Sequence, residues 1–212
     1  MGAGNLTRDL LLLALLLAGW CVSGPAASEP LRLGPSTSHD ALAPHAAYYH
    51  DETGTDDLAA VSAKLTQGRF EPLVDGKTSF GFRTGAFWFH AEVVNGGSAQ
   101  EQWLLVQEYA LGDRIDVNAI GSDGTLQHWS GGDHQPFSQR SIRHRHPNFL
   151  LSLPQGEPVT LLVRVQSESS MQVPLVLYTP TAFAEHATNG HSPSASTTES
   201  CWRCSFTTWC FG

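Results

Sequence analysis

Ten histidines stand among the 212 residues. Two of them, His144 and His146, are spaced so that a strand would project both from one face. Asp133 and His134 come shortly before, in the stretch Gly131-Gly132-Asp133-His134. Imidazole and carboxylate at close quarters is the chemistry of a metal site. Yet the chain has no His-Glu-x-x-His and no Cys/His quartet, so no metal is expected. Catalytic signatures are missing as well: no Gly-x-Ser-x-Gly elbow, no phosphate-cradling glycine loop before a helix, no acid pair singled out for glycoside hydrolysis. We therefore expect a non-enzyme without catalytic residues or cofactor. Recognition is the chemistry left.

Trp88, Trp103, Tyr109, Trp129, Phe137, Arg140, Arg143 and Arg145 supply flat rings and guanidinium forks. Rings stack on sugar faces, and forks bind carboxylates or hydroxyls. Trp88 and Trp103 lie inside apolar strand segments and read as core. Trp129 and Phe137 flank the glycine-rich stretch at residues 131–134, which reads as a surface loop. The expected ligand-binding residues are thus Trp129, Phe137, Arg140, Arg143 and Arg145.

These residues need a scaffold, and the sequence describes one. Phe87, Phe89, Ala91 and Val93 alternate along one strand that Asn95-Gly96-Gly97 ends. Ile115, Val117 and Ala119 alternate with Arg114, Asp116 and Asn118. Phe149, Leu151 and Leu153 precede a turn, and Val159, Leu161, Val163 and Val165 alternate with Thr160, Leu162, Arg164 and Gln166. Val173, Leu175 and Leu177 form a last strand, which Pro174 marks as an edge. Period-two strands at this spacing imply packed antiparallel sheets, each strand with one buried and one wetted face. One helix fits upstream, with Thr55 as cap and Leu58, Val61 and Leu65 on one face. The expected fold is all-β: a jelly-roll-like antiparallel β-sandwich with one short N-terminal helix.

Composition sets the outer limits. The formal net charge of −8 excludes a basic nucleic-acid module. With 41% hydrophobic and 15% charged residues, the chain can bury a core. Arg8 precedes the apolar run from Leu10 to Val22, and small residues follow as far as Ser28. These are the parts of an export signal, too short to span a bilayer, so residues 1–28 are expected to be a signal peptide and the rest to act in the periplasm. A sensory or binding domain would then occupy residues 29–186.

The order of segments from about Ala43 to His186 resembles the type 2 extracellular domain of bacterial seven-transmembrane DISM receptors. The resemblance is carried by Phe80-Gly81-Phe82 before Phe87-Trp88-Phe89, by Asn95 at a strand end and by Asp116 in an alternating strand. Arg140-Ser141-Ile142-Arg143-His144-Arg145 and Pro174-Leu175 before Phe183 complete it. It implies a periplasmic jelly roll that binds a carbohydrate-like small ligand. In a complete receptor it implies seven membrane helices and a cytoplasmic output, often a diguanylate cyclase or histidine kinase. The membrane would be a partner only of that full-length receptor.

After His186 the composition breaks. A polar stretch leads into Cys201, Cys204 and Cys210, an odd set with no fourth zinc ligand. When each codon's third base is read with the first two bases of the next codon, Cys and Trp give Leu, Met or Val. With suitable codons, Ser192 to Phe211 becomes an apolar stretch of membrane-spanning length. Residues 187–212 are thus expected to be a frameshifted tail. A stand-alone soluble periplasmic carbohydrate-binding protein is the alternative, and a secreted carbohydrate-active enzyme a third reading.

Overall fold

The computed structural model describes residues 28–189, save residue 99. The expected signal peptide (apart from Ser28) and the cysteine-bearing tail beyond Asn189 lie outside the described residues. Two antiparallel sheets pack face to face. The larger runs β4 (Glu71–Pro72), β3 (Ala46–Asp51), β6 (Ala86–Asn95), β11 (Pro158–Gln166), β8 (Arg114–Gly121), β9 (Leu126–Gly131). A short strand β1 (Leu31–Leu33) joins the end of β6 in parallel. The smaller sheet runs β10 (Asn148–Ser152), β7 (Gln102–Gln107), β13 (Leu175–Tyr178), β2 (His39–Ala41). A ribbon of β5 (Ser79–Gly81) and β12 (Met171–Gln172) lies apart. The all-β sandwich expected from the alternation is the fold observed.

Alternation builds the core directly. Phe87, Phe89, Ala91 and Val93 of β6, Ile115, Val117 and Ala119 of β8, and the odd-numbered valines and Leu161 of β11 fill the space between the sheets. Trp103, Leu105, Leu151, Leu175 and Leu177 meet them from the smaller sheet. Trp103 is fully buried, and its indole Nε1 donates to the Gln100 carbonyl at 3.0 Å. Asn95 closes β6 with its side chain: Nδ2 donates to the Gln100 and Leu153 carbonyls, and Oδ1 accepts from the Ser98 amide. A buried amide satisfied in this way locks the strand end.

Three expectations are corrected. The helix α1 (Leu58–Thr66) is capped by Asp57, whose carboxylate accepts from the Ala60 amide at 2.8 Å, and not by Thr55. Asp57 holds the position immediately before the first helical residue, where a side-chain oxygen reaches the orphan amides. The strand after Pro174 is no edge: β13 pairs with β7 on one side and β2 on the other. Pro174 sits just ahead of the strand, where its missing N–H costs nothing. Finally, the outer faces of the sheets are not simply wet. Val61, Leu58 and Leu65 of α1 cover Trp88, Leu162 and Ala47 on the larger sheet, making a second small core.

The smaller sheet is covered too, by a second helix that the strand pattern does not announce. In α2 (Pro180–Asn189), Pro180 opens the helix and the Thr179 hydroxyl accepts from the Ala182 amide at 3.2 Å. Pro at the first helical position behind a threonine cap is a start signal in its own right. Phe183 is fully buried against Leu104, Val106 and Tyr178, with Ile142 alongside. Among the described residues no helix is long and apolar enough to cross a membrane.

Histidines gather where α2 meets the loop before β10. The rings of His144 and His146 lie 4.9 Å apart edge to face, and His144 meets Phe183 at 5.0 Å. His186 stands 3.6 Å from the Glu108 carboxylate, which accepts the Tyr178 hydroxyl at 2.6 Å. Burial, aided by the neighbouring charges of His144, Arg145 and His186 and opposed by Glu108, pushes His146 down from 6.5 to about 4. The unfolded chain therefore takes up this proton first as pH falls. Stability is expected to drop between about pH 6.5 and pH 4, with burial of His90 acting in the same direction. Thermal melts across that window should show the loss, and His146→Gln should shrink it. An unchanged pH profile in the variant would remove His146 as a source.

Candidate functional site

Strand pairing lines up a row of polar side chains on the outer face of the larger sheet. Asp116 of β8 is the direct partner of Arg164 of β11 on one side and of Ser130 of β9 on the other. Arg164 in turn pairs with Trp88 of β6. Two residues along, Asn118 pairs with Leu162 and with His128. Side chains two apart on a strand share a face, so Arg114, Asp116 and Asn118 stand together.

Asp116 is 5% exposed and Arg164 8% exposed. Charges buried this far need partners, and both have them. Asp116 Oδ1 accepts from Ser130 Oγ at 2.8 Å; Oδ2 accepts from Arg114 Nε at 2.9 Å and Arg164 Nη1 at 3.5 Å. Arg164 Nη2 donates to the Gly54 carbonyl at 2.8 Å and to Gln166 Oε1 at 2.9 Å. Asn118 Nδ2 donates to the Leu162 carbonyl at 3.2 Å, so its Oδ1 is the acceptor facing His128 Nδ1 at 2.8 Å. The proton of a neutral His128 must then sit on Nδ1, leaving Nε2 as a free acceptor.

The wall over this floor is the turn from Asp51 to Leu58. Burial raises the Asp51 pKa, but hydrogen bonds from the Thr53 hydroxyl and the Asp56, Gly54 and Thr53 amides outweigh it and hold the carboxyl below the usual range. Gly85 lets the chain pass close by: its φ is +85°, and a Cβ there would meet the Asp51 carbonyl at 2.1 Å. Asp56 pairs with Lys64 of α1. Between wall and floor lies a cleft of about 330 Å³, lined by residues 54–58 and by Trp88, Arg114, Asp116, Asn118, His128 and Arg164. Trp88 is 2% exposed, as its core reading required, but its Nε1 has no hydrogen-bond partner among the described residues. In Trp103 the same donor is satisfied by the Gln100 carbonyl.

The five residues singled out from sequence do not converge on this cleft. Trp129 shares the inner face with its partner Val117 and packs, half-buried, against the main core. Its neighbours His128 and Ser130 are the ones that reach the polar row. Phe137 is exposed, with the Arg140 guanidinium 4.7 Å and the Arg143 guanidinium 6.0 Å from its ring centre. Arg140 Nη1 donates to the His144 and Arg145 carbonyls at 2.5 and 2.6 Å, so this arginine holds its own loop together. Arg143 and Arg145 are exposed. The cavity beside Arg140 has a volume of only about 10 Å³, room for one water.

His144 and His146 lie in the irregular segment before β10 and not on a strand. Asp113, Asp133 and His134 come together, their ligand atoms within 4.8 Å of one another. Asp113 Oδ2 already accepts the Glu168 amide at 2.5 Å. Sequence reasoning named Arg114, Asn118 and Arg164 only as the polar half of an alternation, and Asp116 beyond that only as a carrier of the family resemblance. A usable signal was present: a lone arginine inside the run Val-Thr-Leu-Leu-Val-Arg-Val of residues 159–165.

Residues 43–179 match the family model described as 7TMR-DISM extracellular 2. A search of curated proteins gives no match. The cleft residues all fall inside the matched region.

Proposed function

Since the chain belongs to the 7TMR-DISM extracellular 2 family, an extracellular sensory domain of receptors, we propose that it is the periplasmic ligand-sensing part of a seven-transmembrane receptor and binds a carbohydrate-like small ligand in the Trp88 cleft. The family is a sensory one and not a catalytic one. The observation that carries the choice of site is the cleft itself. A pocket of ligand size, with buried paired charges on its floor and an indole N–H lacking a partner, is built for polar recognition. In this reading α2 connects the sandwich to the membrane, and the output is a cyclase or kinase on the far side.

Titration calorimetry of the chain against a panel of mono- and disaccharides tests the site. Arg114→Gln should weaken the bound sugar by roughly tenfold or more, the loss of one charged hydrogen-bonding partner. Its effect on stability should stay within about 1 kcal/mol, because the Arg114 side chain is 56% exposed. Binding that survives this change but is lost in Phe137→Ala and Arg143→Ala would move the site to the loop before β10.

A further inference from the structure

We infer that the ligand of the Trp88 cleft is a sugar acid, a polyhydroxylated ring bearing a carboxylate, and not a neutral sugar. The inference rests on the reading of this cleft as the ligand site. It follows from an inventory of what the cleft has left to offer. Asp116 is the one acid on the floor, and its two oxygens already accept three hydrogen bonds, from Ser130, Arg114 and Arg164. Two guanidinium groups face that single carboxylate, so the trio carries one surplus positive charge. On the wall, Asp56 is neutralised by Lys64. Asp57 is engaged as the cap of α1, where the positive end of the helix dipole offsets its charge.

The unspent groups include both donors and acceptors. Arg114 uses only Nε on Asp116, and no hydrogen bond from its two Nη groups is found among the described residues. A guanidinium edge with both ends free is the receptor for a carboxylate. Trp88 lines the cleft, and its Nε1, which can only donate, is buried without a partner among the described residues. A ring or carboxylate oxygen that reaches it on binding would satisfy it. The acceptors left are His128 Nε2, spared by the bond between Nδ1 and Asn118, and the second carboxylate oxygens of Asp56 and Asp57, for which no hydrogen bond is found among the described residues. They suit hydroxyls. One anion receptor, one donor and three hydroxyl acceptors in a cleft of about 330 Å³ describe an acidic sugar.

The test compares matched sugars that differ only in carrying a carboxylate or a hydroxymethyl group: galacturonate against galactose, and glucuronate against glucose. Binding to the full chain is read by calorimetry and by the Trp88 indole N–H resonance, identified by its loss in Trp88→Phe. At least one acid should bind about tenfold or more tighter than its neutral twin and shift that resonance at millimolar concentration. Arg114→Gln should bring the acid down to the level of the neutral sugar. Equal binding within both pairs, with the resonance shifted, would overturn the sugar-acid inference while the cleft stands. So would an acid preference untouched by Arg114→Gln. Sugars that bind without moving the Trp88 resonance, or no binding by any of the four, would overturn both the cleft and the inference.

Discussion

Replacing Arg164 by methionine is expected to destabilise the domain by about 3–5 kcal/mol, the usual cost of stranding one partner of a buried ion pair. Methionine keeps much of the volume, so the loss reports charge and hydrogen bonding more than packing. Asp116 would keep Arg114 and Ser130, but its buried oxygen would lose the guanidinium across the β8–β11 pair. The Gly54 carbonyl would lose its donor as well, loosening the wall of the cleft. In the double variant Asp116→Asn with Arg164→Met the cost should shrink, because no buried charge is left unpaired and Arg114, 56% exposed, is solvated. Urea denaturation of the single and double variants measures the coupling. A loss below about 1 kcal/mol for Arg164→Met would mean that Arg114 and Ser130 hold Asp116 unaided.

Phe183→Ala should be of similar size, about 3–5 kcal/mol for a fully buried phenylalanine. Its effect should be local as well as global. Phe183 is the fully buried side chain of α2 in the small core over β7 and β13. With the ring gone, the α2 amides should exchange faster by hydrogen-exchange mass spectrometry, while β6, β8 and β11 keep their relative protection. If α2 exchange is unchanged, the helix is held by Thr179 and the histidine cluster and not by this ring. Because His144 touches Phe183, the loop before β10 should loosen together with the helix.

The sandwich is legible in the sequence because period two is a local property. Ile115, Val117 and Ala119 announce the inner face of β8 without help from any other strand. The cleft is not local. Asp116 meets Arg164 only once β8 and β11 pair in one register, and the two are 48 residues apart. A slip of a single residue in either strand would put the two side chains on opposite faces. Trp129 shows the same limit on a smaller scale. Its ring and the nearby glycines mark a loop-edge binding residue, but pairing with Val117 turns it inward and gives the outer face to His128 and Ser130. Nor does α1 state which sheet it covers. Its apolar stripe is plain, yet only the packed fold shows that it turns part of a wet face into a second core and leaves a walled recess beside it. The start of α2 is written in Thr179-Pro180, but the strand alternation that precedes it continues to Leu177 and gives no sign of a helix.

The parallel seam between β1 and β6 bears on the order of assembly. Leu31 lies against Val93 and Leu33 against Asn95, positions about sixty residues apart along the chain. A polypeptide delivered N-terminus first presents Leu31 and Leu33 long before their partners exist. The strands on either side of β6, β3 before it and β11 after it, must also find their places for the inner face to close. The domain is thus expected to set from its centre outward, its earliest segment a latch that waits for a keeper.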